Sequence, residues 1–336
     1  MLQHNFGFIL FVVNFDTNKT HHASACKRTP VGYFFQRVMN YTKPPISIVD
    51  QIALLINRGL AVPDQDRATQ YLSNISYYRL RAYTYPFQDN ALQNRPFNPG
   101  VDFDRILELY VFDRELRLVV FDAIERIEIA LRTQIIHHFA MAYGSHWFEN
   151  PALYKRTDLL RSDLRGLDKE IQRSSEAFIR HYQNKYASPL RPPAWMSLEV
   201  TTMGLLSKLF ENLKMCAAKK QVTKHFGLGH PIVLESWMHT FSNVRNICAH
   251  HGRLWNRHLT QAPILPINTT ELFLTNPIIS PHQIYATLSC MVYLLRIINP
   301  GSHLFAKLKN HLTQNPSISL TVMGFPEGWQ DEPLWN

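Results

Sequence analysis

Apolar residues return every three or four positions along most of the chain, and the elements this spacing predicts are almost all helices. After Lys43-Pro44-Pro45, Ser47 and Asp50 form a capping-box signature. Ile48, Val49, Ile52, Leu55 and Ile56 then repeat at helical spacing as far as Gly59. A short helix is expected after Asp64, followed by a segment over 71–87 crowded with Tyr71, Tyr77, Tyr78, Arg79, Arg81, Tyr83 and Tyr85. Interleaved aromatics and arginines can stack bases, but packing of a small N-terminal subdomain explains them more simply. From 104 to 143 the helical pattern is nearly unbroken and stops at Gly144, as one long helix or two abutting ones. Residues 155–186 read as a charged helix, Pro192-Pro193 as a rigid linker, and 198–214 as a further helix led in by Trp195. Another helix starts near Pro231, 256–275 is an irregular crossing, and Ser280-Pro281 opens a helix that Asn299-Pro300-Gly301 stops. A last short helix and a Pro/Gly-rich tail through Gly324-Phe325-Pro326 finish the pattern.

This pattern predicts an all-α fold, with no alternating strand pattern, internal repeat, glycine-rich phosphate loop, GxSxG elbow or HExxH pair. Its boundaries are an extension over 1–38, an N-terminal helical subdomain over 39–100, a larger helical domain over 101–315 and a tail over 316–336. The extension holds the apolar run 8–13, but no Lys or Arg precedes that run, and a polar stretch separates it from Ala23-Ser24-Ala25. A signal peptide is therefore disfavoured, and the extension reads as disordered. Patterned sequence begins just after Met39, the candidate natural start.

Composition then narrows the function. The 336 residues are 46% hydrophobic and 18% charged, as in a globular protein, and the formal net charge of +9 asks for an anionic partner. Nucleic acid is the commonest such partner and a membrane surface the rival. No apolar run approaches the roughly 20 residues of a membrane helix. Cys26, Cys216, Cys248 and Cys290 show no CxxC spacing, which disfavours a zinc ribbon or disulfide framework and suits a cytoplasmic location.

The most informative stretch runs from Phe241 to Arg257, Phe-Ser-Asn-Val-Arg-Asn-Ile-Cys-Ala-His-His-Gly-Arg-Leu-Trp-Asn-Arg. On a helix at about 100° per residue, Leu234, Trp237, Met238, Phe241, Val244 and Cys248 share one face that must be buried. Arg245 lies about 40° from Phe241, inside that stripe, so it must pair with a carboxylate or line a pocket or interface. Asn246 and His250 are one turn apart and can hydrogen-bond, which would fix the imidazole tautomer. His250 falls about 140° from Arg245, so one ideal helix does not bring the two together. Bringing Arg245 to the same reacting atom needs its long reach, a distorted helix or a second subunit, and this shortfall favours a composite site in a homodimer.

An Arg-x4-His spacing alone is weak, since Arg132…His137 and Arg253…His258 have it too. The context is stronger. The string Arg245-Asn246-x-x-Ala249-His250-His251-x-Arg253-Leu254-Trp255-Asn256-Arg257 resembles the Abi family of abortive-infection (phage-resistance) proteins, AbiD/AbiF type. The likeness extends in order through Lys43-Pro44-Pro45, Tyr77-Tyr78-Arg79-Leu80 and Phe112-Asp113-Arg114-x-Leu116-Arg117. It continues through Glu125-Arg126-x-Glu128-x-Ala130-x-Arg132-Thr133, Pro192-Pro193-x-Trp195 with Glu199, and Gly324-Phe325-Pro326-x-x-Trp329. It spans about 43–330.

The resemblance implies a HEPN-like helical bundle, a superfamily whose active members are metal-independent endoribonucleases. It also implies an RNA partner, as substrate and as a regulatory small non-coding RNA. On the superfamily's Arg-x4–6-His motif, His250 would be the general acid/base and Arg245 would stabilise charge on the phosphorane, with Asn246 orienting the pair. The products would carry 2′,3′-cyclic phosphate and 5′-hydroxyl ends. Around them, His251, Arg253, Arg257, Lys219 and Lys220 are candidate RNA contacts, and Glu128, Arg132 and Glu199 candidate supports. Each has a plainer reading. The histidines would interact with a helix dipole, Arg253 and Arg257 would flank Trp255, and Glu128–Arg132 would be a solvated i,i+4 pair. Cys248, His250, His251 and His258 have no spacing that fixes a metal's geometry, and no metal or cofactor is expected. A non-catalytic RNA-binding module is the alternative from another class.

Overall fold

A computed structural model describes residues 41–336. The extension over 1–38, with its apolar run and Cys26, and Met39 just after it lie outside the described residues. The described residues hold twelve α-helices and no β-strand, only isolated bridges. The fold is all-α. It divides into two compact units at Leu107/Glu108, a point inside the long helix α4.

The first unit contains α1 (Ile48–Asn57), α2 (Gln65–Ile75) and α3 (Tyr77–Thr84). Ser47 caps α1 by accepting the Asp50 N–H at 3.1 Å, and its hydroxyl returns a bond to the Asp50 carboxylate at 2.7 Å. Asp64 caps α2 in the same way through Arg67 N–H. Ile52, Leu55, Ala68, Leu72, Leu80 and Tyr83 form its core. The Tyr/Arg-rich segment splits accordingly, because Tyr83 is buried whereas Tyr78 is 83% exposed.

In the second unit, α4 (Phe103–Tyr143) is one helix, not two, and ends at Gly144 with φ +86°. One expected helix is broken and another is shortened. The charged stretch becomes α5 (Thr157–Arg173) and α6 (Ala177–Lys185), with an extended Ser174 between them. The helix expected over 198–214 is shortened to α8 (Met203–Asn212), preceded by the one-turn α7 (Ala194–Ser197), because Thr202 turns extended and caps α8 through Leu205 N–H. Hydroxyl side chains offer backbone groups an alternative to the helix ladder, so apolar spacing alone runs through such breaks. The basic stretch forms α9 (Ala217–His225) and leads to α10 (Pro231–Ala249).

The helix α11 (Ile284–Ile298) is buried on every side from Ile284 to Leu295, which makes it the central helix of this unit. Packed on α10 are α8, α9 and α11. After α12 (Leu304–Thr313), the segment 316–336 is no loose tail: Met323, Phe325, Trp329, Leu334 and Trp335 are buried. Trp335 stacks on Tyr285 of α11 at 5.9 Å and donates its indole N–H to Ser289. Glu332 accepts backbone N–H groups from Thr275 (2.6 Å) and Asn276 (3.0 Å), tying this segment to the irregular crossing.

Candidate active site

The end of α10 carries the motif. Leu234, Trp237, Met238, Phe241, Val244 and Cys248 are buried, as their spacing requires. Burial pushes the Cys248 thiol up to about 12, so it stays protonated. Arg245 departs from expectation. It is exposed, at the rim of the stripe rather than within it. Its guanidinium lies 5.7 Å from the ring centre of Phe121 on α4, a cation–π contact. It also acts electrostatically on Glu128, two turns further along α4. The charge therefore lies over an aromatic ring and within electrostatic range of a carboxylate, and the long side chain explains how a residue beside an apolar stripe reaches solvent.

Asn246 and His250 are exposed too. They are joined through the backbone, His250 N–H to Asn246 O at 3.0 Å. The helix is regular up to His250, which sits at φ −90°, ψ 13° as the C-cap. The angle of about 140° between Arg245 and His250 is therefore not removed by distortion.

Immediately after His250 the helix ends in a Schellman motif. Gly252 N–H bonds Ile247 O at 2.8 Å and His251 N–H bonds Cys248 O at 3.0 Å. His251 occupies the left-handed position at φ +55°, where glycine is usual. Gly252 is packed closely, since a Cβ there would meet Ile247 and its carbonyl at 3.3 Å. Asn256 is the next left-handed residue, at φ +43°. Arg253 is half-buried, and Arg257 folds back to donate to its carbonyl at 3.3 Å.

Two residues outside the candidate set hold this corner. Asp113 of α4 is fully buried and accepts N–H bonds from Leu254 (3.0 Å) and Trp255 (2.6 Å) while pairing with Arg117, itself 6% exposed. The carboxylate thus anchors the chain just beyond the histidines. A sequence signal existed: Asp113 and Arg117 are an i,i+4 pair on the apolar side of α4, among Leu109, Leu116 and Val120.

The candidate supports separate. Arg132 is 9% exposed and bonds Glu128 (2.6 Å), the Glu199 carbonyl (2.9 Å) and the Thr201 carbonyl (2.7 Å), so it fastens α4 to the α7–α8 connection. The pair is thus more than the solvated ion pair of the plainer reading. Burial raises the Glu128 carboxyl above its ordinary value, against the pull of Arg132 and then Arg245. Glu199 takes part through its backbone, and its side chain is exposed.

Lys219 is not an RNA contact. It has no exposed surface; its ammonium pairs with Glu235 at 2.6 Å, donates to the Leu213 carbonyl at 2.7 Å and lies 4.9 Å from the Phe210 ring. The spacing of Lys219, Lys220 and Lys224 on α9 turns the first inward and leaves the other two outside. Among the described residues, no group of three or more His, Cys, Asp or Glu is placed to hold a metal, and none of the helices is long and apolar enough to cross a membrane. His258 stacks on His282 at 4.9 Å instead.

No curated protein and no solved structure matches the chain. The family model described as Abi-like protein matches residues 70–256, more than half of the sequence and all of the geometry from α3 to the Asp113-anchored corner. The chain belongs to the Abi-like family of abortive-infection proteins.

Proposed function

We propose that this protein serves abortive infection as a metal-independent endoribonuclease of HEPN type, with RNA as substrate and the end of α10 as its site. The observation that carries the reading is the joint exposure of Arg245, Asn246 and His250 on a rigidly anchored helix end. A guanidinium held over Phe121, within electrostatic range of Glu128, would stabilise a phosphorane's charge. An exposed imidazole can take the 2′-hydroxyl proton and return one to the leaving 5′-oxygen. That sequence of steps leaves a 2′,3′-cyclic phosphate and a 5′-hydroxyl.

The unrelieved angle between Arg245 and His250 supports completion of the site across a two-fold axis. Exposed Leu118 (56%), Phe121 (37%) and Ile129 (51%) give α4 an apolar stripe beside Arg245 that suits such a homodimer. His251 and Arg257, both exposed, are RNA contacts in this reading, with half-buried Arg253 between them in sequence, and exposed Lys220 is a further contact near the opposite end of α10. A cytoplasmic location and restraint by a small non-coding RNA belong to the same proposal.

The test is the double substitution Arg245→Ala/His250→Ala, assayed on RNA in EDTA with end-group analysis. Loss of cleavage with an unchanged circular-dichroism spectrum and melting curve is expected, and undiminished cleavage would reject the assignment. The same angle favours a second reading, a scaffold that binds RNA without cutting it. Copurified RNA that stays intact on incubation with the native dimer would select it.

A further inference from the structure

A cavity of about 760 Å³ opens at the far end of α10, where α9 and the irregular crossing meet. Lys220 and Lys224 of α9 line it, with His230, Thr223, Asn268 and Thr270. The two lysines are one turn apart, both exposed, and neither forms an ion pair among the described residues. Like charges at that spacing repel, and no carboxylate among the lining residues offsets them. The nearest acidic partner on α10, Glu235, is already engaged by Lys219 at 2.6 Å.

His230 accepts the Ile232 N–H through Nδ1 at 3.2 Å, which places its proton on Nε2 as a donor. The exposed Asn268 amide supplies another donor. The start of α10 adds potential of the same sign, though by itself it would not make a site. The size lies within the range of small-ligand pockets, at roughly 300–1,000 Å³. Two cations, an imidazole N–H and an amide fit an anion with several oxygens better than a solvated lysine face, which needs no concavity.

We infer that this cavity is a phosphate-binding site, its phosphate either linked in RNA or free in a nucleoside diphosphate. It lies about 28 Å along α10 from His250, at 1.5 Å rise per residue. A strand held there would be a separate anchor rather than part of the cleavage centre. The RNA form of the inference rests on the proposed RNA reading above.

The experiment uses the full chain and the variant Lys220→Gln/Lys224→Gln, both sites being exposed. Anisotropy is measured with a labelled 2′-O-methyl RNA of about 12 nucleotides, which resists transfer to a cyclic phosphate. ADP binding is measured by calorimetry. With RNA as occupant, affinity drops about tenfold and the slope of log K against log[salt] shrinks by about 1.4, two contacts at roughly 0.7 each. With a free nucleotide as occupant, ADP binding is lost instead. RNA and ADP binding both unchanged would overturn the site. Repeating the titrations on Arg245→Ala/His250→Ala separates the two proposals. Lysine-dependent binding in both backgrounds, with cleavage of unmodified RNA lost only in the Arg245→Ala/His250→Ala variant, keeps both proposals. Lysine-dependent binding with cleavage undiminished in that variant keeps the cavity and rejects the nuclease site, whereas its loss of cleavage with lysine-independent binding does the reverse.

Discussion

The Asp113 carboxylate receives the Trp255 backbone N–H at 2.6 Å, across 142 residues of chain and with both residues buried. It also accepts from Leu254 and pairs with Arg117, so three donors converge on one buried anion. Such a carboxylate is stabilising only while its partners stay in place. The consequence is positional: α10 ends at Ala249, and the chain beyond it is held one turn later.

Replacing Asp113 by Ala removes the carboxylate paired with buried Arg117 and the acceptor of the Leu254 and Trp255 N–H groups, and is expected to cost about 3–5 kcal/mol. Asp113→Asn keeps an acceptor and loses less. Urea denaturation of both variants checks this, and a loss under 1 kcal/mol for Ala would show that the corner is held otherwise.

His251 occupies a backbone position that favours glycine. His251→Gly is expected to raise stability by about 0.5–1 kcal/mol, since glycine removes the Cβ strain of the left-handed region. If His251 also touches RNA, affinity falls while the melting temperature rises. A lowered melting temperature would contradict the strain argument.

Lys219→Met leaves the Glu235 carboxylate with only Lys155, 3.9 Å away, as a cationic partner. A cost of about 2–3 kcal/mol follows, with RNA affinity of the folded fraction unchanged. Lys219→Met/Glu235→Leu should recover most of the loss. A large affinity change in the folded single variant would restore Lys219 as an RNA contact.

Arg132→Ala removes one guanidinium from the Glu128 carboxylate and from two carbonyls of the α7–α8 connection. The expected loss is about 3 kcal/mol, and hydrogen exchange should accelerate first at residues 199–202. Uniform exchange across the unit would argue against this local role.

Folding raises the Cys248 thiol from 9.0 to about 12 through burial. A group whose folded pKa is raised stabilises fully below its unfolded value, and that contribution is lost as pH climbs through the folded one. The stability difference between wild type and Cys248→Ala should therefore be constant below about 9 and shrink towards about 12. A pH-independent difference would place the thiol in contact with solvent.

Several features were legible in the residues. The α10 stripe from Leu234 to Cys248 and the Ser47 cap follow from periodicity and capping, which are local properties. Arg245 was misplaced because a helical wheel assigns direction from Cα and ignores the reach of a long side chain. Lys219 was misread because three lysines in a short stretch look alike until a helix turns one inward towards Glu235. The break at Ser174 and the late start of α8 after Thr202 are not legible in apolar spacing, which continues through both positions.

By itself, the sequence determined which segments coil, which faces must be dry, and the family, because helix spacing and motif order are written along one dimension. Tertiary structure alone decided that Asp113 holds the turn after His250, that Arg132 fastens the α7–α8 connection, and that Lys220 and Lys224 border a cavity. Those relationships join residues far apart in the chain, and the burial that gives a charge its partner exists only after the helices pack.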